Sequence, residues 1–329
     1  MIGLIDAHHH IWRQADLPWL VGPMQPRIFG PYEPIRRDYP VREYLDDLAG
    51  NGVVKSVYVQ TNWAKARYED ETAWVQRTSA ETGWPHAIVA YADFGADDVR
   101  PQLDRLKRYP LVRGVRMQLH WHQNPLYRFA PRADLCADPT LRRNIARLAD
   151  YGWSFDLQVF APQMPDAATL AETCPKVTFV LQHAGMPEDL SPAGRSVGRA
   201  GMVRLAACPN IVCKLSGLGT FIHRNDPAHI AGIVSETVAI SRSCGPAMAI
   251  SSTPISTPSK RTRAIATRSC AIRQCGSIVS RPSLAPGETN EGNGRQAWRW
   301  KSRFLTMATS NWNRASSCSV ATVGARAVC

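Results

Sequence analysis

Residues Gly3 to Trp12 read GLIDAHHHIW, an apolar run that enters three consecutive histidines and leaves through a tryptophan. On an extended strand successive side chains point to opposite faces, so Leu4, Asp6, His8 and His10 share one side and Ile5, Ala7, His9 and Ile11 the other. Only two of the three imidazoles then converge. In a parallel barrel the Ile5 and Ile11 side packs on helices, and His8 and His10 open at the C-terminal mouth, where catalysis sits in that fold. His9 is a bystander in this reading.

The chain up to Ile240 supplies the pattern that such a strand needs. Six further β-rich runs follow: VVKSVYVQ, HAIVAYAD, LVRGVRMQLH, WSFDLQVF, VTFVLQH and NIVCKLS. Between them lie amphipathic segments such as VREYLDDLAGNG, DETAWVQRTSAETG, DPTLRRNIARLADYG and AGMVRLAACP, several of which stop at Gly or Pro. Seven strand-then-helix units predict an α/β fold with a parallel sheet. The (β/α)8 TIM barrel is the favoured closure for a chain this long. A doubly wound sheet ranks second, because no Gly-rich phosphate loop follows the first strand.

After Ile240 the periodicity ends. The remainder is crowded with Ser, Thr, Arg, Pro and Gly, and neither an eighth strand nor an eighth helix is legible in it. The expected organisation is a barrel body over 1–240, incomplete at its eighth, C-terminal unit, and an atypical tail over 241–329. That composition suits a disordered tail or a coding sequence translated out of register. The second is favoured, since Arg, Ser and Ala abound while Asp is missing.

Charge separates the same two segments. The formal net charge is +12, yet 26 of the 39 Lys and Arg and 25 of the 27 Asp and Glu precede Ser241. The body is close to neutral, and the tail's Arg residues are scattered among Ser and Thr, so nucleic acid is not an expected partner. The nine cysteines form no CxxC pair and read as free thiols of a reducing compartment. No basic leader and no run of roughly 18 to 20 apolar residues is present, which predicts a cytoplasmic chain without a membrane partner. The expected partner is a small-molecule substrate, with a homo-oligomer left open.

Beyond the first strand, chemistry-bearing residues recur at strand ends. In LVRGVRMQLHWH, Arg116, Gln118 and His120 share one face while Val115, Met117, Leu119 and Trp121 share the other. Parallel strands are covered on both sides, so a face of Arg, Gln and His points to a site rather than to solvent. VTFVLQHAG delivers His183 just before a Gly turn. Imidazoles concentrated at several strand ends mark a candidate active site.

These motifs give the chain a family likeness. DAHHHIW, GVRMQLHWHQNPLYRFA, DYGWSFDLQVF, FVLQHAGMPEDLSP and NIVCKLSGLGTFIHR occur in order, and the sequence over roughly 2–240 resembles the amidohydrolase-related family of (β/α)8 hydrolases. The likeness is to the branch with 2-pyrone-4,6-dicarboxylate lactonase and sugar-acid lactonases. It implies a hydrolase that opens a small carboxylated lactone or related cyclic ester or amide. Carried over, His8 and His10 match the first-strand pair and His183 the sixth-strand histidine. In metal-dependent relatives these three bind a divalent cation, zinc or manganese, that activates water. In the lactonase branch the equivalent imidazoles polarise the scissile carbonyl without metal.

Two departures from the family pattern stand out. Gln158 occupies the fifth-strand position where a metal-dependent relative has a histidine. The eighth-strand motif, whose acidic member is the general base, is matched only by ISSTP, with Ser252 in the acidic position. A serine hydroxyl cannot take a proton from water as a carboxylate can. An inactive barrel without its catalytic base is therefore the alternative reading.

The substrate-binding candidates are Arg116, Gln118, His120 and Gln60, with Asn62, Lys214 and Ser216 as further wall residues. Arg116 suits a substrate carboxylate, or equally an ion pair with Asp93 or Asp156. Tyr127, Arg128 and Phe129 read as a loop over the mouth.

Overall fold

The structure, a computed structural model, describes residues 3–243 and the two-residue strand at 249–250. Eight parallel strands run in chain order, each paired with the next: β1 (Leu4–His9), β2 (Val53–Val59), β3 (Ala87–Ala90), β4 (Val112–Val115), β5 (Ser154–Leu157), β6 (Phe179–Leu181), β7 (Ile211–Cys213) and β8 (Ala249–Ile250). Helices α1 (Pro18–Val21) and α2 (Val41–Leu48) follow β1, α3 (Tyr68–Thr82) follows β2, and α4 (Arg100–Leu106) follows β3. Then come α5 (Pro139–Ala146) and α6 (Leu148–Tyr151) after β4, α7 (Met164–Thr173) after β5, α8 (Pro192–Ala206) after β6 and α9 (Pro227–Ser243) after β7. This is the topology of the (β/α)8 barrel. All seven strands expected from the sequence are present.

The eighth unit differs from expectation in one respect. Ala249 and Ile250 form a strand, pairing in parallel with Val212 and Cys213, although no periodicity announces it. Two residues are too few to display a period of two. Among the described residues no pairing joins β8 to β1. Ser252, an eighth helix and nearly all of the 241–329 tail lie outside the described residues.

The strands are short and apolar because helices cover them on the outside. Every residue of β3, β5 and β6 is buried, as a parallel sheet with crossover helices requires. Phe155 of β5 packs between Phe94 and Phe179 with ring centroids 5.3 and 5.9 Å apart. Burial of Leu, Ile, Val and Phe side chains, worth about 1.5–3 kcal/mol each, stabilises the frame that holds the strand ends in place.

Two irregularities shape those ends. Between Asp6 and His9 the pairing register of β1 on β2 shifts, with one more residue on β1 than on its partner, the signature of a β-bulge. The expected single face of Asp6, His8 and His10 is broken there. Asp6 accepts a hydrogen bond from Tyr44 Oη at 3.0 Å, and the Tyr44 ring also stacks on His9. The second irregularity follows β6, where His183, Ala184, Gly185 and Met186 all take left-handed backbone angles, with φ of 55, 53, 77 and 54°.

Candidate active site

The strand ends open into a cavity of about 940 Å³. His8, His10, Gln60, Arg116, Gln118, His120 and His183 all line it, as do Asn62, Gln158 and Ser216. The ring centroids of His8 and His10 lie 5.1 Å apart, and those of His8 and His183 4.8 Å. Residues far apart in the chain thus become neighbours through the barrel. His9 is buried and stacks on Tyr44 at 4.1 Å with an interplanar angle of 12°.

Hydrogen bonds set the tautomers of the imidazoles. His10 Nδ1 stands 2.6 Å from the carbonyl oxygen of Val59. His183 Nδ1 stands 3.2 Å from the carbonyl oxygen of Ser216 and 2.9 Å from its Oγ. A carbonyl oxygen only accepts, so each Nδ1 carries the proton, and a neutral ring then keeps its lone pair on Nε2. His8 is different: its Nδ1 is buried with no partner among the described residues. A proton there would be an unsatisfied buried donor, so the favoured tautomer of His8 holds it on Nε2.

His8, His120 and His183 are neutral. Burial, reinforced by Arg116, pushes His183 down to about 3. Burial, with His183 and Lys214 adding to it, holds His8 well below the ordinary imidazole value. His120 is pushed down to about 3 by burial and by Arg116.

Arg116 is the hub of this field. Its backbone N–H continues the sheet by donating to Ala90, just past the end of β4, and Gln118 and His120 follow in the segment beyond the strand rather than within it. Arg116 is 4% exposed. Among the described residues the guanidinium makes one hydrogen bond, Nη2 to the carbonyl oxygen of Gln60 at 2.5 Å, and its buried Nε has no partner. The ion pair considered for it with Asp93 or Asp156 is not formed. Lys214 takes Asp156 instead, with Nζ 2.8 Å from Oδ2 and both side chains buried. Burial lowers Arg116 to about 10, which leaves it charged at neutral pH.

Around this floor, Gln60 donates to Gln118 Oε1 at 3.4 Å and accepts from the Asn62 N–H at 2.6 Å. Gln158 Oε1 is buried without a partner among the described residues. Tyr127 and Phe129 wall the mouth, Tyr127 packing on Phe160 and Phe221. Lys214 does not reach the mouth, being committed to Asp156. Sequence reasoning passed over Glu71, a helix residue that also lines the cavity.

Among the described residues no group of three or more His, Cys, Asp or Glu side chains is arranged to hold an ion. Gln158, a weak ligand, occupies the β5 position. These residues do not make up a metal centre.

A parallel barrel with imidazoles and a guanidinium at its C-terminal strand ends is the architecture of a barrel hydrolase. Comparison with known proteins agrees: the amidohydrolase family model matches residues 5–241, and the chain belongs to the amidohydrolase family. It is similar to the uncharacterized protein y4mH of Sinorhizobium fredii, 34% identical over 220 residues, which cover 66% of this chain and 74% of that one. It is also similar to the L-fucono-1,5-lactonase of Burkholderia ambifaria, 30% identical over 217 residues, covering 66% and 68%. Among solved structures, an amidohydrolase of Burkholderia multivorans with bound HEPES superposes with a TM-score of 0.59 at 25% identity, covering 75% of this chain and 83% of the other. A second crystal form of that protein holds zinc. Among the described residues no helix is long and apolar enough to cross a membrane.

Proposed function

We propose that this chain hydrolyses a small carboxylated lactone, or a related cyclic ester or amide. The observation that carries the reading is Arg116, a buried guanidinium that makes no ion pair among the described residues and stands on the wall of a cavity it shares with His8 and His183. A buried charge without a partner in contact is costly. A substrate carboxylate supplies the missing partner, in the two-point geometry that guanidinium favours. The lactonase relative supports the choice of a cyclic ester.

The tautomers divide the work between the histidines. His8, with its proton on Nε2, donates to the scissile carbonyl oxygen and stabilises the oxyanion as it forms. His183, with its lone pair on Nε2, accepts a proton from the attacking water. Water adds to the carbonyl carbon, the ring C–O bond breaks, and the proton passes to the departing alkoxide. Arg116 is the largest electrostatic cause of His183's low basicity, so a carboxylate seated on Arg116 raises that basicity when substrate is bound. This gives the cavity a proton acceptor that does not depend on Ser252. His10, held by Val59, Gln118, His120 and Gln60 orient the remaining polar groups. No divalent cation, zinc or manganese, is part of this reading.

The test is a panel of carboxylated and uncharged lactones, assayed with and without chelator, for the full chain and for His8→Ala and His183→Ala. Expected are turnover that survives chelation, a preference for the carboxylated members and a loss of at least a hundredfold in kcat for each variant. Undiminished turnover in both variants overturns the assignment. Loss on chelation with recovery on added zinc or manganese overturns its metal-free chemistry.

A further inference from the structure

Glu71 lies in the first turn of α3, is 2% exposed and lines the cavity. One of its oxygens is fully used. Oε1 accepts from the Thr61 N–H at 2.6 Å, from Tyr58 Oη at 2.8 Å and from Thr61 Oγ1 at 3.0 Å, clamping the loop after β2 onto the helix. Oε2 makes no hydrogen bond among the described residues. The clamp explains one oxygen and leaves the other without a task.

The surroundings of Oε2 define what it takes. Trp63, Tyr68 and Tyr91 also line the cavity: Trp63 lies two residues beyond the clamped Thr61 and packs on Trp74 at 6.0 Å, Tyr68 precedes Glu71 by three residues on α3, and Tyr91 packs on Tyr68 at 6.2 Å. Trp63 Nε1 and Tyr91 Oη have no partner among the described residues. The recess thus combines a carboxylate acceptor, two unsatisfied donors and aromatic faces. A second anion is repelled by Glu71. Burial raises the Glu71 pKa, and its hydrogen bonds from Thr61 and Tyr58 and the charge of Arg116 oppose that rise; a cation is repelled by Arg116, which is held by Gln60, the residue next to the clamped Thr61. A neutral hydroxyl satisfies both sides, donating to Oε2 and accepting from Tyr91 or Trp63, while the rings cover its carbon frame.

We propose that this recess is a second subsite, in which Glu71 selects lactones that carry a hydroxyl-bearing substituent beside the acid group held by Arg116. The inference rests on the lactonase reading above. Glu71→Gln reverses the polarity of the recess: the Thr61 N–H requires an acceptor, so the amide oxygen stays at the clamp and the amide NH₂ faces the cavity.

The experiment compares kcat/KM for a matched pair of carboxylated lactones that differ only in that hydroxyl. The full chain is expected to favour the hydroxylated member by at least tenfold, the scale of a hydrogen bond to a charged acceptor. Glu71→Gln abolishes or inverts the ratio. Tyr91→Phe, which removes a hydroxyl no other described residue uses, reduces it severalfold and serves if Glu71→Gln does not fold. A role confined to the clamp slows both lactones alike and leaves the ratio intact, which overturns the proposal. So does a preference for an amino over a hydroxyl substituent. If no lactone is turned over, the lactonase reading falls by itself, and calorimetric binding of the two ring-opened acids makes the same comparison for the recess.

Discussion

Two strand ends deliver histidines to the cavity, and they do so by different means. At β1 the backbone stays extended through a bulge between Asp6 and His9, and His8 and His10, two residues apart in the chain, arrive as neighbours in the cavity. At β6 the strand is only three residues long, and His183 is thrown into the cavity by four consecutive left-handed residues, three of them not glycine. Left-handed angles cost an L-residue about 1–2 kcal/mol, so such a turn persists only where its surroundings enforce it. Here Ala184 N–H donates to the Lys214 carbonyl at 2.9 Å, tying the turn to the chain beyond β7. The contrast teaches that one chemical group is placed once by an unstrained rule and once by stored strain. Damage should therefore be greater at β6.

The largest effect is expected at Gly185. A Cβ there meets the side chains of Met164 and, at 3.0 Å, Met202, and φ is 77°. Gly185→Ala combines overpacking with a disfavoured backbone, a loss of about 2–4 kcal/mol. Denaturant unfolding measures it. The same variant should lower kcat far more than KM, because the turn aims His183. Unchanged stability would show a soft turn and remove the contrast between the two strand ends.

That contrast also marks what the sequence reveals. The seven strands and the His8–His10 pair follow from a period of two, a local property that a single chain displays. The left-handed turn left only QHAG, in which one glycine stands for four unusual residues. Glu71 was illegible for another reason: with Glu69 and Asp70 it reads as the acidic first turn of a helix, favourable to the helix dipole and usually solvated. Only the packing of Tyr58 and Thr61 makes it a buried group. Similarly, sequence places Arg116, Lys214 and Asp156 on inward faces but does not say which cation takes the carboxylate. Lys214 takes it, and that leaves Arg116 for the substrate.

A smaller effect sharpens the β1 side of the comparison. Burial holds His9 at about 3, below the value of about 6.5 for a free imidazole. Between those values the unfolded chain binds more protons than the folded one, so His9's contribution is complete above pH 6.5 and is lost as pH falls. At pH 5 the loss is about 2 kcal/mol. His9→Phe keeps the stack on Tyr44 and removes the titration, so its stability should fall less steeply between pH 7 and 5. His8, His120 and His183 are depressed in the same direction and continue to destabilise the variant in acid. Identical slopes for the two proteins would remove His9 from the acid sensitivity of the barrel.

The smallest effect isolates tautomer from turn. Ser216→Ala removes the Oγ contact at 2.9 Å but leaves the Ser216 carbonyl 3.2 Å from His183 Nδ1, so the proton stays on Nδ1 and only the orientation of the ring loosens. The lost hydrogen bond is worth about 1 kcal/mol, which corresponds to roughly a fivefold decrease in kcat with KM unchanged and restoration by Ser216→Thr. Ser216 is thus a positioning residue, and a rise in KM without a change in kcat would assign it to the substrate instead. The carbonyl belongs to the backbone and survives every substitution at 216. The proton-accepting tautomer of His183 is therefore fixed by the fold, while its aim is tuned by a single side chain.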